Sequence, residues 1–173
     1  MGHIVSREGV KVNPQKIQAI VKWPIPKNIK GLRGFLGLTG CYKKFAKNYA
    51  CIARPLTTLL KKKSFVWNEE ATLSFSLLKD AMSYTSILAI PDFSKTFIVE
   101  CDASRQGIGA VLTQEGRPLP FECKQIKGKY LVKSKYEKEM ATILHAIKKL
   151  RQNLIGRHFK VKRDHDSLKY IFE

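Results

Sequence analysis

Three carboxylates stand where this sequence could gather them for chemistry. Asp102 closes the apolar run Phe97-Ile98-Val99-Glu100-Cys101, and Asp164 closes Phe159-Lys160-Val161-Lys162-Arg163. Both runs read as strands, so both acids fall at strand ends. Glu139 belongs to a helix that opens with Ser134-Lys135-Tyr136-Glu137, a capping box in which the Ser hydroxyl and the Glu carboxylate satisfy each other's free backbone donors. Glu137 is thereby occupied at the helix start. Glu139 lies about 200° further round the helix, three residues past Tyr136 and four before Ile143, on the stripe expected to face a sheet. If the two Asp-bearing strands are adjacent and parallel, joined by a crossover through that helix, the Asp side chains converge at one edge of the sheet with Glu139 above them. Three carboxylates at one spot suit a hard divalent cation, because Mg²⁺ takes oxygen ligands and keeps waters and substrate phosphates in its remaining positions. Each acid also has a plainer reading. An Asp at a strand end can be a turn or cap residue, and a partly buried Glu can pair with a lysine.

Lysines are plentiful: 32 Lys plus Arg against 14 Asp plus Glu leave a formal charge of +18 on 173 residues. Such a surface attracts polyanions, although a solvated basic face or an architectural protein would carry the same charge. Residues 1–12 lack the uninterrupted apolar core of a signal peptide, and no run approaches the roughly 18 apolar residues of a membrane span. The expectation is a soluble, intracellular protein with no membrane partner. Cys41, Cys51, Cys101 and Cys123 form no CxxC pair and, with the four His residues, no zinc-ligand spacing. Buried free thiols are expected.

The elements that must position the acids follow from local signals. Two short β-prone pieces around Arg7-Glu8-Gly9 suggest a small hairpin. Asn13 with Pro14, Asn28, and Asn68 with Glu69 and Glu70 read as helix starts. Ile29, Leu32, Phe35 and Leu36 share one face of the second helix, which glycines at 31, 34, 37 and 40 weaken. Further helices are expected over 52–60 and 71–82. The pattern then changes: 96–102, 107–113 and 119–123 read as antiparallel strands separated by turns. A long helix from Ser134 carries Tyr136, Met140, Ile143, Leu144, Ile147 and Leu150, then 158–163 returns as a strand and 167–172 begins another helix. The fold class is α/β (α+β): a mostly helical segment over residues 1–92, then a mixed sheet over 93–173 in the order β-β-β-α-β-α.

The three acid-bearing segments resemble the RNase H domain of gypsy-type LTR retrotransposons and their retroviral relatives. Val99-Glu100-Cys101-Asp102-Ala103-Ser104 with Gly107-Ile108-Gly109-Ala110-Val111-Leu112 is similar to that family's first catalytic strand and hairpin. Tyr136-Glu137-Lys138-Glu139 is similar to its helix motif, and Arg163-Asp164-His165-Asp166-Ser167-Leu168 to its Thr-Asp-His-x-Ser-Leu motif. Upstream, Gly2-His3-Ile4-Val5-Ser6 resembles the primer-contacting turn of the family's reverse transcriptase. Trp23-Pro24-Ile25-Pro26 with Leu32-Arg33-Gly34-Phe35-Leu36-Gly37-Leu38 resembles its thumb and connection region.

The resemblance implies an RNase H-like fold for residues 93–173. It also implies a Mg²⁺- or Mn²⁺-dependent endonuclease that hydrolyses RNA in RNA–DNA hybrids, with Asp102, Glu139 and Asp164 as three of four metal-binding acids. It implies that Arg33, Lys43, Lys44, Lys47, Lys61, Lys62 and Lys63 track the phosphates of the hybrid, while Tyr42, Phe45 and Tyr49 among them also fit a core. Association with the rest of a retroelement polyprotein belongs to the same expectation. Three departures stand out: Arg163 in place of the usual Thr, Asp166 where Lys or another polar residue is usual, and Glu122-Cys123 in place of a Tyr-Ser type pair. Residue 173 precedes the strand and helix that bear the family's fourth acid, so the expectation includes an activity weakened or lost by truncation. The alternative is a non-catalytic nucleic-acid-binding transposon remnant. The sequence has no Tyr-x-Asp-Asp polymerase motif, so no template copying is implied.

Overall fold

The computed structural model describes residues 2–61, 65–84, 87–103, 107–125 and 134–163. The chain divides into two compact units, Met1–Ile87 and Leu88–Glu173.

In the first unit, β1 (His3–Ser6) and β2 (Gly9–Val12) form an antiparallel hairpin with Ser6 opposite Gly9. Asparagines then start three helices, because an Asn side chain held outside the helix can accept one of the free first-turn N–H groups. Asn13 accepts from Gln15 at α1 (Pro14–Val21), Asn28 from Gly31 at α2 (Ile29–Cys41), and Asn68 from Ala71. A short α3 (Tyr49–Ile52) precedes α4 (Arg54–Leu59), and α4 is the helix expected over 52–60. Pro55 supplies no N–H, so it suits the opening turn of a new helix better than the interior of a continuous one. The glycines do not break α2, whose buried residues are Leu32, Phe35 and Thr39 rather than Ile29 and Leu36. A Cβ at Gly34 would come within 3.3 Å of the Trp23 ring, so the absent side chain lets that indole lie close to the helix.

Helix α5 (Glu69–Ser83) organises this unit. Its inner face, Ala71, Ser74, Phe75, Leu78 and Met82, is buried, and it packs on α1, α3 and α4. Lys79 points inward too: its ammonium donates to the carbonyl of Trp23 and stands 4.5 Å from the centre of the Phe75 ring, and burial pulls its pKa down.

The second unit contains β3 (Phe97–Ala103), β4 (Gly107–Gln114), β5 (Arg117–Gln125), α6 (Lys135–Leu154) and β6 (Phe159–Arg163). The sheet order is β5-β4-β3-β6, antiparallel except for the parallel pair β3 and β6. Glu115 (φ 50°) and Gly116 (φ 74°) both take left-handed backbone at the β4–β5 turn, the conformation a tight two-residue hairpin requires. Phe97, Val99, Ala110, Leu112 and Leu119 of the sheet form one core with Ala146, Leu150 and Leu154 of α6. The inner stripe of α6 is therefore Thr142, Ala146, Leu150 and Leu154, whereas Leu144, expected on that stripe, is 62% exposed. Small side chains at 142 and 146 let the helix lie close to the sheet. The helix expected over 167–172 lies outside the described residues.

Two further expectations are corrected or bounded. Among the thiols, Cys41 is exposed and Cys51 and Cys101 are half-buried, so burial does not account for them; the Cys41 thiol instead donates to the Gly37 carbonyl one turn back. Among the described residues no helix is long and apolar enough to cross a membrane.

Gln114 ties the segment entering the sheet to its far end. Its buried amide accepts from the Asp92 N–H (3.0 Å) and donates to the carbonyls of Asp92 (2.7 Å) and Lys95 (3.1 Å). Asp92 in turn accepts from the Ser94 hydroxyl and N–H, which holds its carboxyl below the usual range, and Lys95 is raised by its bond to Glu115. Gln114→Leu keeps the size but leaves these backbone groups unmet. It should lower the denaturation midpoint of this unit by the equivalent of about 1–3 kcal/mol, with faster hydrogen exchange at the Asp92 amide.

Candidate functional site

The adjacency on which a carboxylate site depends is present. β3 and β6 are parallel neighbours, paired from Phe97 opposite Phe159 to Cys101 opposite Arg163. Asp102 is the next residue of β3, where it pairs with Gly109 of β4. The described part of β6 ends at Arg163, and Asp164 lies outside the described residues. Glu139 is on α6, half-buried, three residues before Thr142 and seven before Ala146, so it continues the stripe that packs on β3 and β4. The capping box expected at the start of this helix is formed: the Glu137 N–H donates to Ser134 Oγ at 3.2 Å, and the Ser134 N–H donates to the Glu137 carboxylate at 2.9 Å. Glu137 is exposed and Glu139 is not. Among the described residues no three His, Cys, Asp or Glu side chains gather in a way that could hold a metal ion, a set that does not contain Asp164.

One further acid stands in β3. Glu100 is half-buried, opposite Lys162 across the parallel pair and opposite Val111 across the antiparallel one. The Thr113 hydroxyl lies 3.4 Å from its carboxylate. Reading the run as a strand placed Glu100, but register alone brings Lys162 beside it.

The basic candidates divide cleanly by exposure. Arg33, Lys43, Lys44, Lys47 and Lys61 are exposed, whereas Tyr42, Phe45 and Tyr49 are buried. Lys62 and Lys63 lie outside the described residues. A short 3-10 turn, Lys43–Phe45, produces this split by putting both lysines outward and the ring inward. His3 of β1 stacks on Phe45 with ring centres 5.3 Å apart and meets Tyr42 edge-on at 5.4 Å, fastening the hairpin to the basic turn. Burial raises the Tyr42 hydroxyl above its ordinary pKa, which keeps it protonated.

Comparison with known proteins now adds to the geometry. Residues 67–161 match the model of the RNase H-like domain found in reverse transcriptase. The chain belongs to that family. Asp102 and Glu139 fall inside the matched stretch, and Asp164 falls three residues beyond it. The retrovirus-related Pol polyprotein from transposon 297 of Drosophila melanogaster is 43% identical over 173 residues, 99% of this chain and 16% of the polyprotein. That from transposon gypsy of the same fly is 37% identical over 184 aligned residues, 98% of this chain and 18% of the polyprotein. The chain thus spans less than a fifth of these relatives' length. Among solved structures, a foamy viral protease-reverse transcriptase in complex with RNA/DNA hybrid superposes with a TM-score of 0.86 at 20% identity, over 99% of this chain and 24% of that one. At that identity the likeness is one of fold, and it supports the mixed α/β architecture.

The placement of Glu139 on α6 depends on how firmly the helix starts. Ser134→Ala should cost about 1 kcal/mol of local stability. The expected reading is several-fold faster hydrogen exchange at the Lys138 and Glu139 amides, with exchange at Leu150 unchanged.

Proposed function

We propose that this chain is the RNase H-like module of a retroelement reverse transcriptase that hydrolyses RNA in RNA–DNA hybrids, with Asp102, Glu139 and Asp164 as the acids that hold the divalent ions. The observation that carries the reading is the parallel β3–β6 pair bridged by α6, inside a family match that spans both Asp102 and Glu139. The donor set fits the group: all three residues offer carboxylate oxygen, the ligand that hard cations such as Mg²⁺ or Mn²⁺ prefer. When bound, a divalent pair supplies an activated water and charge neutralisation at the departing 3′ oxygen. The protein's own part is to fix the carboxylates on rigid elements. Asp102 sits in β3 and is paired with Gly109 of β4, and Glu139 stands half-buried on α6, the helix that packs on β3 and β4.

The exposed lysines of the first unit supply the second component, attachment to phosphates. Lys43, Lys44 and Lys47 on one short segment, with Arg33 on α2, present cations that a nucleic-acid backbone would neutralise. These same residues favour a second reading, binding to nucleic acid without cleavage.

A cleavage assay on an RNA–DNA hybrid separates the two. Cutting that requires Mg²⁺ or Mn²⁺ and falls to background in Asp102→Asn and in Asp164→Asn supports the nuclease; cutting that survives both changes assigns the activity to another site. Binding without cutting, insensitive to divalent metal and steeply dependent on salt, supports the second reading. Replacing Lys43, Lys44 and Lys47 by Ala should then flatten the log–log salt slope by about 2–3.

A further inference from the structure

The outer face of α5 departs from the rest of this basic chain. Leu73, Leu77 and Tyr84 are 66%, 55% and 86% exposed, and at 100° per residue they fall within one narrow stripe. Single exposed leucines are ordinary, but three large apolar groups aligned on one helix ridge are a patch. Glu69, Glu70 and Asp80 are exposed on the same side. The only cation in α5 is Lys79, which is turned inward to Trp23 and Phe75. On a chain of net charge +18, this face therefore combines apolar area with negative charge and presents no Lys or Arg of its own. Phosphates are repelled there, and cationic groups are attracted.

We infer that the outer face of α5 is a docking surface for a protein partner that presents a basic amphipathic helix. The charge complementarity selects the partner's sign, since Lys or Arg flanking an apolar stripe would meet Glu69, Glu70 and Asp80. The anchors select its shape: Leu73, Leu77 and Tyr84 run about 16 Å along one ridge, a length that two to three turns of a facing helix cover. The surface is independent of the nuclease reading, because it uses neither the acids of the sheet unit nor the exposed lysines.

The test uses the full chain and, as probe, a fluorescent peptide of about 14 leucine and lysine residues at helical spacing, long enough to pair with the ridge. A peptide with glutamate in place of lysine is the control. Fluorescence anisotropy should show binding of the Leu/Lys peptide alone. Leu73→Ser with Leu77→Ser should weaken it at least about tenfold, and Glu69→Lys with Asp80→Lys should do the same, with helicity by circular dichroism unchanged in both. Equal binding of the Leu/Glu control, or wild-type affinity in both variants, overturns the inference. So does a wild-type dimer in sedimentation that Leu73→Ser with Leu77→Ser abolishes, since a second copy would then be the occupant. Loss of affinity for an RNA–DNA hybrid in the leucine variant would likewise overturn it.

Discussion

Parallel neighbours cannot be joined by a tight turn. The chain must leave β3, travel back along the sheet and re-enter beside it, and that return needs an element of its own. Between β3 and β6 the chain first makes the β4–β5 hairpin and then the long helix α6. The helix is therefore obliged to lie on the sheet, and the positions it buries follow from that obligation: Ala146, Leu150 and Leu154 join the core of Phe97, Val99 and Leu112. Glu139 lies earlier on that stripe and is half-buried. A helix that merely flanked the sheet would bring no acid to it.

Charge in the first unit is arranged by an equally simple constraint. A short basic segment with aromatic residues three and four positions apart buries the rings by turning the lysines out, and the turn at Lys43–Phe45 does so. The buried rings then serve as the floor for His3 of the hairpin. Lys79 is the exception that defines α5: by donating to the Trp23 carbonyl near the end of α1, it locks two helices together. That inward turn also removes the one positive charge that α5 could have shown on its surface.

Much of this architecture was legible from residue types because its signals are local. The Asn caps at 13, 28 and 68, the hairpin and the Ser134–Glu137 box each depend on atoms within a few residues of one another, and all are formed. The parallel β3–β6 pair was open to the sequence only as a condition, since a crossover through the long helix permits it without requiring it. What escaped was whatever rests on distant partners or on small residues. Leu144 was read onto the buried stripe because it is apolar, while Thr142 and Ala146 take that place because they are small enough for close contact. Gln114 carries no sequence signal at all, since its partners are backbone groups 22 and 19 residues away. The helix expected over 52–60 starts two residues later, at Arg54, because Pro55 suits a helix start better than a helix interior.

The acids proposed for the site stand out in the sequence for the opposite reason, as departures from pattern. A stripe that continues through Thr142, Ala146 and Leu150 would be completed most stably by an apolar or small residue at 139. Instead it carries a half-buried Glu, whose charge is costly to take from water without a compensating group. Asp102 follows the apolar run that built β3. On the proposed function, carboxylates that depart from the local pattern on neighbouring elements are what a working site requires. A structural ion pair could occupy either position alone, but it gives no reason for the acids to sit at the end of one strand and on the helix that crosses over it. On the proposed function divalent metal would, since it needs oxygen ligands from separate elements, each held rigidly by the fold.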